Sequence, residues 1–430
     1  MEKEWEEEHY KACRKRKKAL TAGVAGVVLI ESIVAGGFVN FMHTNQIQQR
    51  IQREQEIRRN GCIELAEGIY KGATDFGYFT GEGNFVFTIG SEYTGEWQSN
   101  EMDGEGTLKI PSEGEYKGDF KGSEKNGKGT FSWKDGTVYN GEWKKDQMWG
   151  KGTYTTSDDV VYSGTFEQNQ FYAGTCTFKN DTGEYELTYK NGEIDKAEIT
   201  YKDGTVYSGG CTDKELSGTG MMTFKTGDTY SGSYSNNCRD GKGVYQWKSG
   251  DQYDGGWSDD KMEGTGTYTY ANGAYVSGTF EKNVFITGKY YAKNDFGTYT
   301  FAIENGEAKS VEMSLIDGTT YSGDMKDGKL TGTAQIKYSN GDQYNGSMEN
   351  GQKSGEGTYK WASGSSYTGS WSKDQMNGKG TYQYSEKETG YKVTGSFKDG
   401  KPNGECQYYT DSTKYYKTDW SDGKCVKIYE

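Results

Sequence analysis

The chain has 430 residues, of which only 32% are apolar, with 64 Gly, 36 Tyr and a net charge of −13. Such a composition excludes a thick two-layer core of Leu, Ile and Val, and the acidic balance disfavours nucleic acid and anionic lipid as partners. Glycine-rich composition without a fixed period would indicate disorder, so a period decides the class.

Residues 1–18 form a short charged segment, and Ala19 to Met42 follow as an apolar run of 24 residues whose only charge is Glu31. At ~1.5 Å per residue this run is long enough to cross a bilayer as one helix. Six Lys or Arg precede it nearby and four follow, so the positive-inside rule places the N-terminus in the cytoplasm and the rest of the chain outside. The reading is a single-pass membrane protein. A cleaved signal peptide is the alternative, with small residues at Ala35–Gly37 as a processing site; the acidic start and the length of the run argue against it. The basic cluster before the run serves as a topology signal, although such bases also attract anionic headgroups. Residues 43–68 read as a polar stalk, with Ile47, Ile51 and Ile57 loosely at helical spacing and a short coiled coil left open.

Beyond the stalk the chain repeats. Tyr93, Tyr116, Tyr139 and Tyr162 open units 23 residues apart, each close to Y-x-G-x-(W/F)-x6-G-x-G-x-(Y/F), and about fifteen units fill residues 69–420 before a C-terminal tail at 421–430. A second period of 114 residues brings Trp133, Trp247 and Trp361 into register, and likewise Trp143, Trp257 and Trp371.

One unit shows the physics. In Tyr93-Thr94-Gly95-Glu96-Trp97 the aromatics and glycine alternate with polar residues, the pattern of a strand with one packed face. Gly104, Gly106 and Leu108 repeat it on a second strand, with the polar residues Gln98 to Asp103 as the connection. Glycine here leaves room for neighbouring rings to lie flat across the sheet. The fold class is all-β: an elongated single-layer antiparallel array of β-hairpins preceded by one transmembrane helix. At ~4.8 Å per strand, fifteen hairpins predict a rod of roughly 140 Å.

The unit resembles the MORN repeat (membrane occupation and recognition nexus), over roughly Ile69 to Trp420. The resemblance implies membrane tethering and assembly without an activity of its own. Cys211 replaces the aromatic after Tyr207, and Cys176, Tyr290 and Ala334 replace the second glycine, so those units should pack differently.

Chemistry finds little to work with. Gly122, Gly127 and Lys128 have the spacing of a phosphate loop, but Gly129 stands where a Ser or Thr is needed and no helical pattern follows. The two histidines, His9 and His43, lie outside the array, which excludes a histidine-based triad there. Asp158 with Asp159, and Asp259 with Asp260, are carboxylate pairs in expected turns, where solvated acids are the default. The scattered array cysteines read as packing positions rather than a metal site or disulfide framework, and they would suit a reducing compartment better than an exported one. No catalytic residue, metal or cofactor is expected.

Three functions compete: a membrane-anchored repeat scaffold for protein contacts, a cell-surface carbohydrate-binding protein, and, least favoured, a hydrolase. The candidate binding residues are Tyr139 with Trp143, Tyr253 with Trp257, and Tyr367 with Trp371. They either fill the space above the glycines or form an aromatic groove that stacks on a peptide or glycan, with their O–H and N–H groups as handles. The membrane through residues 19–42 is one partner, the protein partner and oligomeric state are left open, a glycan is possible in principle and nucleic acid is not expected.

Overall fold

A computed structural model describes residues 62–385 and 391–429. The apolar run at 19–42 and most of the stalk lie outside the described residues, and so do residues 386–390. Among the described residues no helix is long and apolar enough to cross a membrane.

The described residues hold 33 β-strands, running from Ile63–Leu65 to Lys424–Tyr429. They divide into two compact units, one up to Asp240 and one from Gly241 on. Each unit is a single antiparallel sheet in which sequence neighbours pair, as in strand Glu92–Gln98 with Glu101–Ile110 in the first unit and Gln252–Ser258 with Lys261–Thr269 in the second. The strands therefore extend past the expected bounds of 69 and 420. The last strand lacks the G-x-G signature, and its signal is the turn pair Asp422-Gly423, with φ of 47° and 80°.

The connections differ from expectation. The polar run Gln98–Asp103 is not a loop: Gln98 pairs with Glu101, leaving only Ser99-Asn100 as a two-residue turn with φ of 52° and 71°. Positive φ at both positions is the type I′ geometry, whose twist matches that of the flanking strands. Lys145-Asp146, Asp259-Asp260 and Lys373-Asp374 adopt the same turn. Asp259 and Asp260 are thus paired by turn geometry.

Alternation sends the rings to one face and hydroxyls, amides and charges to the other. On the polar face Thr94, Thr107, Lys117, Thr130, Asn140 and Thr153 lie opposite one another across six consecutive strands. On the aromatic face Gly72, Gly83, Gly95, Gly106, Gly118, Gly129, Gly141 and Gly152 are directly opposed in a continuous row. This row is the bed on which the rings lie.

Candidate functional site

The aromatic face is built from one contact repeated. Where a unit keeps its G-x-G pair, the tyrosine lies flat over opposed glycines and donates its hydroxyl to the carbonyl three residues on: Tyr93 to Glu96 at 2.9 Å, Tyr139 to Glu142 at 2.9 Å, Tyr253 to Gly256 at 3.0 Å and Tyr367 to Ser370 at 3.1 Å. A Cβ on Gly106 would fall 2.3 Å from the Tyr93 Oη, so only glycine fits beneath the ring. Loss of hydration pushes the Tyr253 and Tyr367 phenols up to about 12.

The tryptophans close over this layer. Trp143 stands edge-on to Tyr139 at 5.1 Å and to Tyr116 of the preceding repeat at 5.3 Å, and its indole Nε1 donates to the Gly129 carbonyl at 3.1 Å. Trp257 and Trp371 make the corresponding bonds to Gly243 and Gly357 at 3.0 and 3.1 Å. The structure thus brings each of the three sequence-singled pairs together. Exposure is 0% for Tyr139, Tyr253 and Tyr367 and 5%, 3% and 6% for Trp143, Trp257 and Trp371, and all six polar atoms are bonded within the chain. Stacking on an outside ligand needs an open ring face, and these rings have almost none.

A second inter-repeat contact was invisible in the sequence. The second turn residue reaches back 21 positions: Asn100 accepts the Phe79 N–H on its Oδ1 at 2.7 Å and donates its own N–H to the Phe79 carbonyl at 3.2 Å. Asp146 clamps Lys125 in this way, and Asp374 clamps Lys353. Where glycine takes the turn position, as at Gly351 on Leu330, the N–H bond remains. Asparagine and aspartate thus add one hydrogen bond per repeat.

Of the units that depart from the motif, the one with Cys211 keeps the common geometry, with Gly209 opposite Gly220 and Tyr207 donating to the Gly210 carbonyl at 2.8 Å, whereas those with Cys176, Tyr290 and Ala334 pack differently. Opposite Cys176 the ladder slips, pairing Gly164 with Gly174 and Tyr162 with Cys176 itself, and Tyr162 makes no bond to the carbonyl three residues on. Above Ala334 the Tyr321 hydroxyl is buried without a partner. We expect Tyr321→Phe to leave stability unchanged or raise it, because an unmet hydroxyl is removed, whereas Tyr367→Phe should cost about 1 kcal/mol; paired urea melts measure both. Cys176, Cys211 and Cys406 are buried free thiols, and burial pushes the first two up to about 11 and about 12, so they behave as small hydrophobes. Among the described residues no group of three or more His, Cys, Asp or Glu could hold a metal ion.

Two lysines sit among rings, Lys125 buried and Lys353 half-buried. The Lys125 ammonium lies 5.9, 5.7 and 5.3 Å from the rings of Tyr116, Phe131 and Trp143 and 3.1 Å from Asp146. Lys353, in register 228 residues later, has four rings, Tyr338, Tyr344, Tyr359 and Trp371, at 5.9, 5.7, 5.6 and 5.7 Å, with Asp374 at 3.2 Å. Beside Lys125 a cleft of about 280 Å³ opens between Ile110, Pro111, Met102 and Leu108, with Glu113 also on its wall. This cleft is a concave site on the packed side of the first unit.

The model of the MORN repeat matches nine segments: residues 93–114, 116–138, 139–160, 230–252, 253–275, 321–343, 344–366, 367–387 and 394–414. The chain is a MORN-repeat protein. MORN repeats are interaction repeats for proteins and membranes. The stretches outside the matches, 161–229 and 276–320, include the glycine-poor strands Gly183–Lys190 and Gly297–Glu304 and the slipped ladder at Cys176, whereas the unmatched hairpin of Gly68–Asp75 and Tyr78–Phe87 keeps the MORN geometry, with Tyr70 donating to Ala73 at 2.8 Å. No curated protein matches the chain. Among solved structures it is similar to the TCP domain of SAS-4 from Drosophila melanogaster in complex with a proline-rich motif of Ana2, at 13% identity over 46% of this chain and 90% of that one, with a TM-score of 0.20. It is also similar to a catalytically inactive virginiamycin B lyase from Staphylococcus aureus with quinupristin, at 10% identity over 62% of this chain and 94% of that one, with a TM-score of 0.11.

Proposed function

We propose that this MORN array is a non-enzymatic scaffold, anchored in a membrane by residues 19–42, that presents its repeats for contact with a protein partner on the extracytoplasmic side. The observation that carries the scaffold reading is the use of the tyrosine and tryptophan polar atoms: they bond backbone carbonyls, in the case of tryptophan that of the preceding repeat, and so hold the array together. The opposite face offers repeating rows of threonine and charge, suited to polar contact over many repeats. The anchor rests on the apolar run and its flanking charges, which favour an N-terminus in the cytoplasm.

Deletion of residues 1–44 tests the anchor. The truncated chain is expected in the soluble fraction, and protease added to intact cells should digest the array of the full chain. Persistence in the membrane fraction would mean that the repeats bind lipid themselves, and protection from protease would reverse the topology.

A further inference from the structure

The first and third 114-residue blocks supply an internal comparison. Tyr338, Tyr344, Tyr359 and Trp371 around Lys353 correspond in register to Ile110, Tyr116, Phe131 and Trp143 around Lys125. Three walls of the two cages are aromatic in both. The fourth is the Tyr338 phenol in one block and Ile110 in the other, and the cleft lined by Ile110 and Lys125 occurs where that ring is missing.

We propose that this cleft is a docking site for an aromatic side chain, Tyr or Phe, of a protein partner, which completes the Lys125 cage as Tyr338 completes that of Lys353. Size permits it, since even an apolar cavity of roughly 150 Å³ accepts a benzene ring. Charge selects it. A cation attracts the face of a neutral ring, while Asp146 at 3.1 Å already offsets the ammonium and Glu113 adds a negative charge to the wall, so a phosphate or carboxylate is disfavoured. The apolar wall of Ile110, Pro111 and Leu108 suits the edge of a ring, and Ile89, 70% exposed, extends that surface outward.

The source of the ring rests on the scaffold reading, but the cleft is tested separately from anchor and topology. The probe is the capped peptide Gly-Gly-Tyr-Gly-Gly, titrated into the full chain in detergent and followed by NMR of labelled methionine methyls, with Met102 on the cleft wall as reporter. Saturable shifts at Met102 are expected, and the peptide with Leu in place of Tyr should bind at least several-fold more weakly. Ile110→Tyr should fill the cleft, abolish binding and raise the melting temperature of the first unit. The pair Lys125→Met with Asp146→Asn recreates the Met148–Asn169 clamp found one repeat on, so it should fold, and it should weaken the peptide by roughly 2- to 30-fold. Equal binding of the Leu peptide, unchanged binding by Ile110→Tyr, or full affinity in the Lys125 variant would overturn the proposal. Saturation by p-cresol with no binding of the peptide would point to a small-molecule site and overturn the protein partner.

Discussion

Trp257→Ala should destabilise the second unit by about 3–5 kcal/mol, the range for removing a buried large ring. Trp257 is 3% exposed, stands edge-on to Tyr253 at 5.3 Å and donates its indole N–H to the Gly243 carbonyl at 3.0 Å. Its loss opens a hole over Tyr253 and strands a carbonyl. In a repeat array stability is a sum of local and neighbour contributions, so the deficit should appear as early melting around residues 243–266 rather than as a uniform shift. Hydrogen exchange beside a denaturant melt would locate it. Trp257→Phe is the control: Phe120 and Phe280 occupy the same motif position, so the ring is tolerated and the cost should fall to about 1 kcal/mol for the missing hydrogen bond. A variant Trp257→Ala that melts almost normally yet loses a partner would restore the groove reading at this position.

The sequence carried the period, the hairpin and the use of glycine, because each depends on alternation within one unit, and Tyr93, Gly95 and Trp97 display that alternation directly. It carried the misfits too: Cys176 and Ala334 break the G-x-G pair, and the structure shows a slipped ladder at one and an unbonded tyrosine hydroxyl at the other. What it hid depends on register between units. The bond from Asn100 to Phe79 spans 21 residues and exists only once neighbouring hairpins are aligned. The two-residue turn was masked because Met102, an inward residue, sits in a run that otherwise reads as loop. Lys125 and Lys353 look in sequence like solvated charges, yet each sits among rings. The candidate pairs such as Tyr139 and Trp143 were identified by spacing alone, and spacing cannot say which side of a ring is covered. Trp143 leans on Tyr116 of the repeat before it, a contact that spacing within one unit does not show.

The last expectation concerns the glycine row, where one methyl group should be enough to damage the array. Gly129 has no positive φ, so alanine there carries no backbone strain. Its Cβ, however, would lie 2.2 Å from the Tyr116 Oη and 2.4 Å from Cζ, well inside contact distance, and the ring is fully buried. Tyr116 must lift, losing its 3.0 Å bond to the Asp119 carbonyl and pressing on Trp143. Overpacking costs about 1–3 kcal/mol and the hydroxyl bond about 1 more, so Gly129→Ala should cost about 2–4 kcal/mol. Ala334 is the natural precedent: the chain accepts a methyl there, and the Tyr321 hydroxyl goes unbonded. Gly273 separates the steric cause from the conformational one. It has φ of +83° and nothing within 4 Å of a built Cβ, so Gly273→Ala should cost only the left-handed penalty of about 1–2 kcal/mol. A double-mutant cycle makes the test sharp. In the Tyr116→Ala background the ring that meets the methyl is gone, so the added Gly129→Ala should be nearly free, and the two costs should fall short of their sum by at least ~1 kcal/mol. Strict additivity in denaturant melts would mean that the tyrosine does not rest on the glycine, and the packing scheme of the whole aromatic face would have to be abandoned.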